Sequence, residues 1–80
     1  MNDEKYKNYL YDLGNLTKEY ARDSIKEYLA SKGNSDEQFQ SGYMMGFHRL
    51  VNLMQQQAEA FKIPLKEIGL DDIDESDFFK

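Results

Sequence analysis

The chain contains no cysteine, so no disulfide, thiolate zinc site or iron–sulfur cluster supplements its core. It also has no tryptophan, a single proline and a single histidine. One imidazole rules out a multi-histidine metal centre within one chain. Bases are the minority, 10 against 15 acids, for a net charge of −5. Surfaces that bind DNA or RNA are normally basic, which argues against direct nucleic-acid binding. Nothing approaches the roughly 18 consecutive apolar residues of a membrane-crossing helix. The start, Met1-Asn2-Asp3-Glu4, lacks the basic-then-apolar order of a secretory signal. The expectation is a cytoplasmic protein with no membrane contact. Phosphate-cradling G-x-x-x-x-G-K-[ST] and G-x-G-x-x-G patterns are missing as well.

What is present is helical. Eighty residues make one small domain, which buries only roughly 60–65% of its unfolded surface when compact. From about Asp3 to Lys32, apolar residues recur as Tyr6, Tyr9, Leu10, Leu13, Leu16, Tyr20, Ala21, Ile25, Tyr28 and Leu29. Steps of three and four place most of them on one helical face. Gly14 is a weak point, because glycine in a helix costs about 1 kcal/mol relative to alanine. The apolar phase runs through it, so one long helix is expected, bent there if anywhere. Gly33-Asn34 supplies a left-handed cap.

The second helix is expected to start at a capping box, Ser35 with Gln38 three residues on, and to run until Pro64 stops it. Two or three linking residues make an antiparallel hairpin. Leu65 to Ile68 suits one further helical turn, with Pro64 before it and Gly69 after it. The chain thus divides into a hairpin domain over 1–70 and an acidic tail over 71–80. That tail holds five acids and one base, −4 of the total −5.

The second helix is too apolar for a lone hairpin. Written as heptads, Phe47, Met54 and Phe61 fall at a, and Tyr43, Leu50 and Gln57 at d. Met44, Val51 and Ala58 fall at e, and Gly46, Leu53 and Ala60 at g. The apolar arc spans roughly 200°, twice the ~100° stripe that one neighbour needs. The simplest solution is a homodimer of hairpins forming a four-helix bundle. Its expected interface is Tyr43, Gly46, Phe47, Leu50, Val51, Leu53 and Met54. Gly42 and Gly46 form a G-x-x-x-G that suits close approach of the first helix near Ala21 and Ile25.

Catalytic constellations are wanting. His48 shares its polar strip with Asn52 and no carboxylate, which reads as a solvated surface histidine. The serines and Thr17 form no triad pattern, and Asp72-x-Asp74-x-Ser76 departs from a calcium loop at Asp77, where glycine is needed. No catalytic, cofactor-binding or metal-binding residue is therefore expected. The tail interleaves acids with aromatics, so Asp71, Asp72, Asp74, Glu75, Asp77, Phe78 and Phe79 are candidates for binding another protein. Burying two large side chains would not offset the entropy of ordering ten terminal residues, so this segment is expected to stay mobile without a partner.

These features point to a non-enzymatic, homodimeric interaction or regulatory protein without a cofactor. The alternatives are an acidic inhibitor of the mobile-element kind that mimics nucleic-acid charge, or a small-molecule binder at a dimer seam.

Overall fold

A computed structural model describes residues 2–79. Helix α1 spans Asn2–Ala30 and helix α2 spans Glu37–Ala60, followed by two short 3-10 helices at Leu65–Ile68 and Glu75–Phe78. No strand occurs among the described residues. The all-α class and the long hairpin follow from the apolar periodicity, and α1 runs unbroken through Gly14. The molecule is elongated, 51 × 20 × 16 Å, because two helices of this length outrun the width of an 80-residue globule.

The ends of α2 differ from expectation. Its N-cap is Asp36 and makes no side-chain cap hydrogen bond. The Ser35–Gln38 box does not form; instead the Glu37 carboxylate accepts from the Gly33 amide at 3.0 Å, tying the turn to the helix start. At the other end, Pro64 is not the stop. The Ile63 amide donates to the Ala58 carbonyl and the Lys62 amide to Glu59, with Lys62 at φ 59°. This paired closure of the last carbonyls ends α2 at Ala60, four residues before Pro64.

The segment from Pro64 to Phe79 then folds back as a strap along the groove between the helices. The 3-10 helix at Leu65–Ile68 packs on both α1 and α2, and the one at Glu75–Phe78 packs on α2. Half of the buried apolar core comes from this strap: Ile68, Leu70, Ile73 and Phe78. Ala21 of α1 and Met44, Val51 and Ala58 of α2 complete it. The α1 floor of the groove is made of small residues, Gly14, Thr17, Ala21 and Ser24. Thr17 and Ser24 donate their hydroxyls to the Leu13 and Ala21 carbonyls, so their burial leaves no polar group unmet.

The expected mobile tail is thus an ordered part of the fold. Ile73 and Phe78 are buried to 3% and 4% exposure. Polar contacts share the cost of ordering the tail with the buried side chains. Gln55 of α2 donates to the carbonyls of Leu70 at 3.0 Å and Ile73 at 2.7 Å. Lys18 of α1 pairs with Asp72 at 2.6 Å. The last turn carries the true capping box: Asp74 accepts from the Ser76 amide and hydroxyl, and Asp77 accepts from the Asp74 amide. Met1 and Lys80, the last residue of the expected tail, lie outside the described residues.

Candidate functional site: the uncovered apolar face

Burial on α2 separates the heptad columns cleanly. The e column, Met44, Val51 and Ala58, turns into the core under the strap. The d column turns out of it, while Phe47 and Met54 of the a column pack at the rim of the core. Tyr43, Leu50 and Phe61 are 51%, 42% and 72% exposed, and Phe47 and Met54 are only half-buried. Leu53 is exposed beside them. A seam with knobs-into-holes spacing therefore runs along the edge of the core, with its d side uncovered.

Helix α1 extends this face. Tyr6, Tyr9, Leu13, Leu16 and Tyr20 are all exposed, on the side of α1 turned away from the strap. The Tyr20 ring meets Phe47 edge-on at 6.4 Å, which joins the two apolar faces into one. Along α2, Phe39, Tyr43 and Phe47 form a run of ring contacts at 6.2 and 5.2 Å. Two hollows interrupt the face. One, of about 190 Å³, is lined by Leu10, Met54, Gln57, Phe61 and Ile63 at the open end of the hairpin. The other, of about 260 Å³, is lined by Gly42, Tyr43, Gly46, Phe47 and Leu50.

The glycines are not where helix packing within the hairpin would put them. A Cβ placed on Gly42 or Gly46 would meet nothing within 4 Å, so neither approaches Ala21 or Ile25. The close approach is at Gly14, where a Cβ would collide with the carbonyl of Ile68. Of the residues expected at the interface, the structure brings Tyr43, Gly46, Phe47, Leu50, Leu53 and Met54 to the uncovered face. Val51 is the exception. At 2% exposure it belongs to the core behind that face.

The polar residues serve the fold. His48 is not a solvated histidine: its ring lies edge-on between Phe78 at 5.1 Å and Phe79 at 5.2 Å. Its Nε2 is buried without a hydrogen-bond partner, 3.7 Å from a Glu75 oxygen. Arg22 donates to the Asp72 carbonyl at 3.0 Å and lies 3.5 Å from its carboxylate. The Lys18 hydrogen bond, aided by both cations, holds the Asp72 carboxyl below the usual aspartate range against some desolvation. Among the tail residues expected to bind a partner, Asp72, Asp74 and Asp77 make contacts within the chain and Phe78 is buried, while Asp71, Glu75 and Phe79 are exposed. Among the described residues, no three acidic or histidine side chains converge on a metal-sized space. No helix is long and apolar enough to cross a membrane.

No protein-family model matches the chain, and no characterised protein or solved structure is similar to it. Its function is argued from this surface alone.

Proposed function

We propose that the protein is a non-enzymatic interaction protein whose working unit is a homodimer, two hairpins joined through the uncovered face into a four-helix bundle. The observation that carries this reading is the a/d seam of α2, uncovered on its d side and continuous with the exposed tyrosines and leucines of α1. A soluble monomer rarely shows a contiguous apolar patch above a few hundred Å². Here α2, at 24 residues, is about 36 Å long. The seam therefore runs along most of the 51 Å length of the molecule.

A non-catalytic role is supported by how the polar groups are used. Thr17, Ser24 and Ser31 bond to helix carbonyls, Gln55 holds the strap, and His48 is walled in by phenylalanines. The charge-mimicry alternative loses support because Lys18 and Arg22 offset the Asp72 carboxylate.

Equilibrium sedimentation tests the reading. The protein is expected to run as a dimer at micromolar concentration. Leu50→Glu is expected to give a folded monomer, because it puts an unpaired charge in the seam but not in the core. Val51→Glu, one residue along, is expected to unfold the chain outright. A wild-type protein that stays monomeric at high micromolar concentration would overturn the proposal.

A further inference from the structure

Which way the second copy lies can be read from the asymmetry of the seam. We propose that it docks antiparallel, α2 along α2, with Phe61 of each copy seated in the hollow floored by Gly42 and Gly46 of the other. The inference rests on the homodimer reading and adds its orientation and register.

Two features agree. The first is shape. The hollow of about 260 Å³ lies toward the start of α2, at Gly42, Gly46 and Leu50. The most exposed large apolar side chain, Phe61 at 72%, lies just beyond its end. A parallel pair would set hollow against hollow and Phe61 against Phe61. An antiparallel pair centred near residue 52 sets knob into hollow twice over, as a two-fold interface requires. The same register opposes Leu50 to Met54 and Phe47 to Gln57, so every a position meets a d position.

The second feature is the helix dipole: antiparallel docking sets opposite ends of the two α2 helices together, where a parallel pair would align like ends. The glycines bear on the shape of the hollow. Two glycines in one helix weaken it, and within the chain nothing fills the space above either of them. Phe61 of a second copy gives that space an occupant.

The absence of cysteine makes a clean test possible. Tyr43→Cys and Phe61→Cys chains, each checked by circular dichroism, are mixed under mild oxidation. In the proposed register, residues 43 and 61 of opposite copies face each other, whereas 43 and 43 lie about 27 Å apart along the helix. That span is far beyond disulfide reach. The mixed disulfide is expected to dominate both like-with-like products. Like-with-like disulfides in excess, or a statistical 1:2:1 mixture, would overturn the orientation while sedimentation still showed a dimer. A monomer in sedimentation would instead sink the parent reading.

Gly46→Leu provides a second readout that does not depend on crosslinking. The folded monomer has room for the side chain, so the helix content at low concentration is expected to hold or rise. Filling the hollow is expected to weaken association about tenfold or more. Unchanged or tighter association would count against Phe61 occupying that space.

Discussion

At the scale of single residues, Gly14 shows two rules of opposite sign meeting at one position. Helix propensity says that alanine there should stabilise α1 by about 1 kcal/mol. The Ile68 carbonyl, a backbone atom with no freedom to swing aside, occupies the space a Cβ would need. Overpacking of this kind costs about 1–3 kcal/mol, so Gly14→Ala is expected to be destabilising on balance, read as a lower urea midpoint. Asp72 gives a prediction in pH. Its folded carboxyl titrates lower than in the unfolded chain because Lys18 and Arg22 favour the ionised form. Stability from this group is present above the ordinary aspartate range, near pH 4. It is lost as the pH falls through the lowered folded value. Asp72→Asn is expected to lower stability at pH 7 by a modest amount, since the group is half exposed. The variant's deficit is expected to shrink toward pH 3 in melts run across that range.

At the scale of elements, both long helices and the turn after Pro64 were legible, because their periodicity and breakers are local signals. The strap was not. Ile73, Phe78 and Phe79 carried the apolar hint, but their partners lie far away in sequence: Lys18 is 54 residues from Asp72, and Gln55 is 18 from Ile73. No spacing rule reaches across such separations. Gln55 and His48 looked like members of a polar strip for the same reason. Of the candidate site, the a/d seam was readable from heptads, but which flank the core would claim was not. The strap settles that by covering the e column, leaving the d column bare and the a column half-covered. Deleting residues 71–80 is therefore expected to lower the thermal midpoint sharply, since it uncovers Met44 and Val51 and removes Ile73 and Phe78 from the core. A deletion variant with an unchanged midpoint in scanning calorimetry would show that these contacts contribute little.

At the scale of the whole molecule, the proposed homodimer would couple fold and association. The intramolecular core is thin, eight buried apolar residues among the described ones, and includes two alanines. A homodimer would add the a/d seam to it as a second core. The melting midpoint is accordingly expected to rise with protein concentration, as for any equilibrium in which the native state binds and the unfolded state does not. A hundredfold concentration series followed by circular dichroism checks this; a flat midpoint would argue that the face stays bare.

The reach of the Lys18–Asp72 pair also bears on the order in which the molecule assembles. Contacts between α1 and α2 are neighbours through a short turn, so the hairpin closes a small loop. The strap reaches Gln55 of α2 across loops of 15 and 18 residues, but bringing Asp72 to Lys18 closes one of more than 50 residues unless the hairpin is already formed. The hairpin is therefore expected to precede the strap's contacts with α1 in folding. Until it docks, the e column of α2 is as bare as the seam, and the chain carries two sticky faces instead of one. Gln55, by gripping the strap's backbone at Leu70 and Ile73, holds that column covered once the strap has docked.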